Sequence, residues 1–161
     1  MPSRRLLSFY CMVRQIFPAA GLALLLWGCG REAATLEDYQ ARVVTFPNGK
    51  QVRAESMLTE ADMQRGMMFR DSLAPDRGML FFHAASGKYK YWMYQVRIPL
   101  DIIWMDRDRR IVELSVDTPP CTTEAGECPN YGGSYDALYV LELGGGMAAK
   151  YGLKAGDTLR F

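Results

Sequence analysis

Apolar residues from residue 41 onward fall into short runs that are separated by Gly, Pro, Asn and Asp. Runs of about four to eight residues bounded by such turn formers are typical of β-strands. The Asn48-Gly49 pair after the first run predicts a tight hairpin, because both residues tolerate positive φ angles. The predicted strands are residues 41–46, 51–57, 78–82, 88–94, 101–105, 110–116, 138–143 and 158–161.

Two short helices are predicted between these strands. Residues 59–62 have the sequence of a capping box, which predicts a helix from there to about residue 69. A second helix is expected over residues 147–151, where it stops at a glycine. The fold class is therefore mainly β: one compact antiparallel β-barrel or sandwich over residues 41–161, with one or two short helices.

The start of the chain has the layout of an export signal. Three arginines precede an apolar run over residues 16–27, and Gly28-Cys29 follows this run directly. This ending resembles a lipobox, in which the cysteine is diacylated and the chain is cut in front of it. The run is shorter than the roughly 20 apolar residues of a membrane-spanning helix, and an uncleaved anchor or plain secretion is the alternative. We predict a signal peptide over residues 1–28, lipidation at Cys29 and a tether over residues 29–40.

Lipidation places the expected location in the cell envelope, facing the periplasm or the exterior. Cys29 is followed by Gly30 rather than by the Asp of inner-membrane retention, so the outer membrane is favoured in a cell with two membranes. Translation starts at Met1 or Met12; the sequence supports both. After cleavage the chain keeps 18 acidic residues and all but three of its 19 basic ones. Without a basic stripe, nucleic acid is not an expected partner.

Two cysteines remain in the domain itself. Cys121 and Cys128 flank a segment rich in turn-forming residues. An oxidising compartment and a short loop favour a disulfide between them. A metal site or a redox-active pair is the alternative, although the single histidine, His83, is distant in sequence and the spacing is not C-x-x-C.

Several sequence motifs follow one another in a fixed order along the domain. Their order and spacing resemble the DUF192 family, also called UPF0127, over roughly residues 42 to 161. The resemblance implies a single β-barrel-like domain, often exported and often with a lipobox, and it implies no activity. One departure is that Tyr94-Gln95-Val96 replaces the Lys-Asn-Thr usual in the family. The motifs are RGMMFR (65–70), RGMLFF (77–82), YWM (91–93), IPLD (98–101), VLELG (140–144) and GD (156–157).

Charged and aromatic residues within these motifs are the candidate functional residues. Glu142 interrupts an apolar strand and Asp101 precedes one, and a buried carboxylate must be paired. Together with Arg70 and with Trp92 as a stacking wall, they predict a pocket for a small polar or saccharide-like ligand. A purely structural network of arginines and carboxylates is the alternative.

The remaining function classes have weaker support. Asp101 and Glu142 could act as general acid and base on envelope glycans, yet the chain has no recognisable catalytic motif. Met63, Met67 and Met68 are interpreted as flexible core residues, with a Cu(I) site as the alternative. We therefore expect a binding or interaction module that uses no metal or cofactor and contacts a small ligand or an envelope protein. A structural accessory of an envelope complex is the third hypothesis.

Overall fold

The computed structural model describes residues 40–161; the predicted signal peptide, Cys29 and the tether up to residue 39 lie outside the described residues. The described part contains eight strands and two short α-helices. None of the helices in this part is long and apolar enough to span a membrane. The elements are β1 (Ala41–Thr45), β2 (Gln51–Met57), α1 (Glu60–Arg65), β3 (Arg77–Gly87), β4 (Lys90–Trp92), β5 (Leu100–Met105), β6 (Ile111–Thr118), a 3-10 helix (Ala125–Glu127), β7 (Asn130–Gly132), β8 (Ala137–Gly144) and α2 (Met147–Tyr151).

Six strands form one mixed sheet in the order β1-β2-β3-β8-β5-β6, and β4 pairs with β7 in a separate two-stranded sheet. Neighbouring strands of the large sheet are antiparallel except β2 and β3, which are parallel. The parallel pair results from the connection through α1, which returns the chain to the same end of the sheet from which β2 began. The mainly β fold with two short helices is thus confirmed, whereas the all-antiparallel arrangement is not.

The predicted closed barrel is not found among residues 40–161. The sheet keeps two edges, and residues 158–161 do not form the predicted closing strand. Instead, this segment makes one isolated antiparallel bridge to each edge of the sheet: Arg160 pairs with Thr45 at the end of β1, and Thr158 pairs with Arg110 just before β6.

The predicted hairpin between β1 and β2 is confirmed. Asn48 Oδ1 accepts a hydrogen bond of 2.9 Å from the Lys50 amide. Gly49 adopts a φ of 80°, where a residue without a Cβ is not strained. The turn thereby fixes the register in which Val44 lies opposite Val52, and both side chains are buried.

Helix α1 begins where the capping residues predict and ends earlier than predicted. The Thr59 side chain accepts a hydrogen bond from the Asp62 amide, which satisfies one of the first free amides of the helix. The helix ends at Arg65 because Gly66 has a φ of 44° and leaves the helical region. Residues 66–69 continue as turns.

Both faces of the large sheet are buried, each by a different part of the chain. Helix α2 and the C-terminal segment cover one face, and α1, the following turns and the small sheet cover the other. Strand β5 lies between both cores, and all of its residues are buried, including Asp101. The first core includes Val44, Leu80, Ile103, Leu141, Leu143 and Leu159. The second core includes Met67, Met79, Phe81, Ile102, Trp104 and Val140.

Trp104 joins the small sheet to the large one. Its indole Nε1 donates a 2.9 Å hydrogen bond to the Tyr89 carbonyl, just before β4. Gly132 in β7 lies so close to the indole that a Cβ would come within 2.2 Å of it. The ring of Tyr91 in β4 meets the same indole edge to face, with centroids 5.8 Å apart. Both strands of the small sheet are therefore positioned by one buried side chain.

The predicted disulfide between Cys121 and Cys128 is confirmed. The Cys121 amide donates to the Met93 carbonyl at 3.1 Å, so the disulfide loop is attached to the end of β4. Cys128 lies two residues before β7. The loop therefore supports both strands of the small sheet. Strand β7 was not predicted from the sequence, because three residues that end in glycine carry no periodic signal.

Candidate functional site

The structure separates Asp101 from the other three predicted pocket residues. In the pairing of β5 with β8, Asp101 lies opposite Leu143 and Ile102 lies opposite Glu142. Successive side chains of a strand point to opposite faces. Asp101 therefore faces the first core and Glu142 faces the second, so the two carboxylates cannot act together on one glycosidic bond. This corrects the predicted acid–base pair.

Asp101 is fully buried and is occupied with backbone hydrogen bonds. Its Oδ1 accepts from the amides of Asp117 at 2.7 Å and Gly146 at 3.1 Å. Its Oδ2 accepts from the Ala148 amide at 2.5 Å. A carboxylate that satisfies the first amides of a helix favours that helix. Asp101 thus connects β5 to the start of α2 and to the end of β6, which is a structural role.

Arg70 is paired with Glu55, a carboxylate that was not among the candidate residues predicted from the sequence. Its two terminal nitrogens bind Glu55 Oε1 and Oε2, each at 2.6 Å, in a bidentate pair. Glu55 lies opposite Met79, and Met79 lies opposite Glu142, so all three belong to one row across the second face. Glu55 was missed because alternation along β2 presents it as an ordinary surface residue.

Glu142 is a buried carboxyl group with an oxygen that lacks a partner. The residue is 5% exposed, and its Oε2 has no hydrogen-bond partner among the described residues. Burial raises the pKa of this carboxyl to about 8, and the nearby Arg70 guanidinium opposes the rise. At neutral pH the group is therefore largely protonated, and it can then donate a hydrogen bond as well as accept one.

Tyr91 and His83 continue the polar group beside Glu142. Burial raises the pKa of the Tyr91 hydroxyl, and the charge of Glu142 raises it further, followed by that of Tyr89. His83 Nε2 lies 3.1 Å from the Tyr91 hydroxyl. The imidazole stacks on the Tyr89 ring with centroids 3.5 Å apart, and burial lowers the pKa of His83. All of these shifts favour uncharged side chains.

An open groove of about 780 Å³ lies between α1 and β4, above these polar groups. Its wall includes Trp92, which is 43% exposed, and Tyr94, whose ring centroid lies 5.3 Å from that of Trp92. Large aromatic side chains exposed beside a concavity are typical of ligand sites. The full lining consists of Glu60, Ala61, Met63, Gln64, Arg65, Met68, His83, Lys90, Tyr91, Trp92 and Tyr94.

A second, much smaller cavity of about 40 Å³ reaches Glu142. Trp92 also lines this cavity, which places two of the predicted pocket residues at one site. Arg70 lies close enough to influence the Glu142 carboxyl but does not line either cavity. The residues that line both the groove and the small cavity are Met63, Gln64, Arg65, Met68, Tyr91 and Trp92.

The methionines of the α1 region divide between core and groove. Met67 is buried in the second core, as interpreted from the sequence. Met63 and Met68 are half-buried and line the groove. Within residues 40–161, no group of three or more His, Cys, Asp or Glu side chains could hold a metal ion.

The departure from the family motif after Met93 has a conformational explanation. Gln95 adopts a φ of 56°, and its carbonyl accepts a 2.9 Å hydrogen bond from the Phe69 amide, where φ is 65°. Asparagine is the side chain that best tolerates this left-handed region after glycine. The Asn that is usual at this position therefore fits the left-handed backbone conformation. Gln95 adopts the same conformation with more strain.

Comparison with known proteins places this chain in the DUF192 family. The family model, described as an uncharacterised ACR, matches residues 43–161. A crystal structure of a protein of unknown function from Novosphingobium aromaticivorans DSM 12444 is 32% identical, with a TM-score of 0.64 over 75% of this chain and 84% of that chain. None of the curated proteins compared with the chain matches it significantly.

A second similar structure comes from Sinorhizobium meliloti 1021, where the protein is described as a candidate transcription regulator. It is 27% identical, with a TM-score of 0.65 over 73% of this chain and 89% of that chain. Both structures thus share the fold over nearly the whole described domain.

Substitution Asp101→Asn should destabilise the domain. The NH2 group that replaces one carboxylate oxygen cannot accept a hydrogen bond, so at least one of the buried backbone donors loses its partner, at a cost of about 3 kcal/mol. Urea denaturation measures the free energy of unfolding. Asp108→Asn, at an exposed turn position, is the matched control and should stay within about 0.5 kcal/mol of the parent. Equal stability of the two variants would contradict the role assigned to Asp101.

The raised pKa of Glu142 predicts a decline in stability with increasing pH. The folded protein binds this proton more tightly than the unfolded chain does, so stability is greatest below the ordinary value of 4.5 and is lost as pH rises to about 8. The loss should be on the order of 3–5 kcal/mol. Urea denaturation across this range measures the free energy of unfolding. The difference between the parent and Glu142→Gln cancels the contributions of other titrating groups such as His83. Parallel profiles for the two proteins would refute the shift.

Proposed function

We propose that this chain is a lipid-anchored binding module of the bacterial cell envelope. The supporting pattern is the export signal that ends at Cys29, followed by a short polar tether before the domain begins. The disulfide between Cys121 and Cys128 agrees with an oxidising compartment outside the cytoplasm. In a cell with two membranes, Gly30 after the cysteine favours the outer membrane.

The ligand that we propose for the groove is a small saccharide. The observation that carries this proposal is the exposed Trp92 ring on the wall of a groove of about 780 Å³. An aromatic face stacks on the apolar face of a sugar ring, and the volume suits a ligand of one or two rings. Tyr94 extends the same wall.

Polar side chains around the groove match the hydroxyl groups of such a ligand. Glu60, Gln64, Arg65 and Lys90 provide donors and acceptors of both charge signs along the lining. A neutral, hydroxyl-rich molecule can use both kinds of group, whereas a strongly charged ligand would meet repulsion from one of them. With two basic side chains, one acidic side chain and one amide, the lining offers both donors and acceptors to hydroxyl groups, which supports a saccharide.

We do not extend the proposal to glycan hydrolysis or to nucleic acid. Hydrolysis would require two carboxylates on the same side of the sheet, and Asp101 and Glu142 lie on opposite faces. Although one similar structure is described as a candidate transcription regulator, the exported part of this chain would have a net charge close to neutral. Nucleic-acid binding depends on a concentrated basic surface.

Saccharide binding is tested by calorimetric titration of the exported form with methyl β-glucoside, cellobiose and N,N′-diacetylchitobiose. We expect saturable binding of at least one of these, and a loss of about tenfold in affinity for Trp92→Ala, because the stacking surface is removed. Tyr135→Ala removes an aromatic side chain that is exposed but lies outside the groove, and it should bind as the parent does. Absence of binding to all of these sugars would reject the saccharide proposal.

Lipid anchoring is tested by mass spectrometry of the protein purified from membranes of a bacterial host. The expected N-terminal residue is a diacylated Cys29, and Cys29→Ala should abolish both acylation and membrane retention. Cys11→Ala, within the predicted signal peptide, should be processed normally. An unmodified Cys29, or a mature chain that still contains residues 1–28, would contradict the anchor.

A further inference from the structure

We propose that the small cavity at Glu142 is a specificity subsite that receives one hydroxyl group of the saccharide bound in the groove. This inference rests on the binding function proposed above and adds to it the residue that selects among sugars. The geometry consists of a buried, unpartnered carboxyl oxygen, a small cavity that this residue lines, and walls shared with the groove.

The Glu142 carboxyl group has one buried oxygen that lacks a hydrogen-bond partner among residues 40–161. Glu142 is 95% buried, and its Oε2 makes no hydrogen bond within the described residues. A buried polar atom without a partner costs free energy, so such atoms are rare and indicate a missing partner. Glu142 also lines the cavity of about 40 Å³. A polar group that enters this cavity can therefore reach the carboxyl.

The cavity has room for a small polar group. Its volume of about 40 Å³ exceeds the roughly 10–15 Å³ that one water molecule needs by the same measure. A hydroxyl group therefore fits. The groove, with about 780 Å³, has room for the rest of the ligand.

The shared walls connect the two spaces. Tyr91 and Trp92 line both of them, as do side chains of α1. A sugar ring stacked on Trp92 would therefore lie next to the mouth of the cavity, and one of its hydroxyl groups could point towards Glu142. Trp92, which provides affinity by stacking, would thus also orient the hydroxyl group that provides specificity.

The charges around Glu142 favour a hydroxyl over a charged group. The Arg70 guanidinium lies near the carboxyl, and Arg65 lines the cavity, so an ammonium group would be repelled. An anionic group would be repelled by the carboxylate whenever Glu142 ionises. A hydroxyl both donates and accepts, and it can satisfy Oε2 in either protonation state. The subsite therefore suits a neutral saccharide.

Two measurements on the exported form of the full chain test this subsite. Nuclear magnetic resonance follows the Glu142 carboxyl carbon and the Trp92 indole during titration with methyl β-glucoside. Calorimetry compares methyl β-glucoside with the complete set of its monodeoxy analogues. We expect both signals to shift with one dissociation constant. We also expect one analogue to lose about tenfold in affinity, because its missing hydroxyl leaves Glu142 unpartnered.

Variants at position 142 separate the hydrogen bond from the packing. Glu142→Leu fills the space without a polar atom, so it should bind methyl β-glucoside about tenfold more weakly and no longer distinguish the sensitive analogue. Glu142→Gln keeps a donor and an acceptor and should retain most of the affinity. Glu127→Leu, at an exposed position away from the groove, is the matched control and should bind as the parent does.

The possible results distinguish the subsite from the groove. If the Trp92 signal shifts while the Glu142 signal does not, and every monodeoxy analogue binds as the parent sugar does, the subsite is rejected and the groove remains the binding site. If neither signal responds to methyl β-glucoside, cellobiose or N,N′-diacetylchitobiose, both proposals fail. Should Glu142→Leu not fold, the analogue series on the unmodified protein decides the question, because it requires no substitution.

Discussion

The packing of Trp104 against the two-stranded sheet is the interaction on which the rest of the candidate site depends. The indole lies on β5, next to the edge strand β6 of the large sheet. It holds β4 and β7 through the Tyr89 carbonyl, the Tyr91 ring and the close approach of Gly132. This contact creates the second core. It also sets the distance at which the groove wall stands above the large sheet.

Burial of Glu142 follows from that arrangement. Once β4 covers the second face, the carboxyl loses water, its pKa rises to about 8, and Oε2 is left without a partner. Asp101, one strand away but on the other face, is equally buried and has all of its hydrogen bonds to backbone amides. Asp101 shows how a buried acid is tolerated in a structural role, whereas the unpartnered oxygen of Glu142 carries a cost and is the observation from which we propose the subsite.

The disulfide and the strained backbone both act on the same wall of the groove. Cys121 is attached to the end of β4 through Met93, and Gln95 accepts a hydrogen bond from Phe69 while both adopt positive φ angles. Strained residues persist where the surroundings hold them in place. Here they hold the turn between Trp92 and Pro99, so the groove wall formed by Trp92 and Tyr94 is held at both of its ends.

The sequence by itself determined the local features of this protein, because each depends on residues close together in the chain. The Asn48-Gly49 hairpin, the capping residue Thr59 and the short disulfide loop are all of this kind. The parallel pairing of β2 and β3 and the open edges of the sheet depend on how distant segments pack. So does the face that each carboxylate occupies: β5 is apolar on both sides, so only its register against β8 places Asp101 away from Glu142. The pairing of Arg70 with Glu55, 15 residues apart, was decided by the tertiary structure for the same reason.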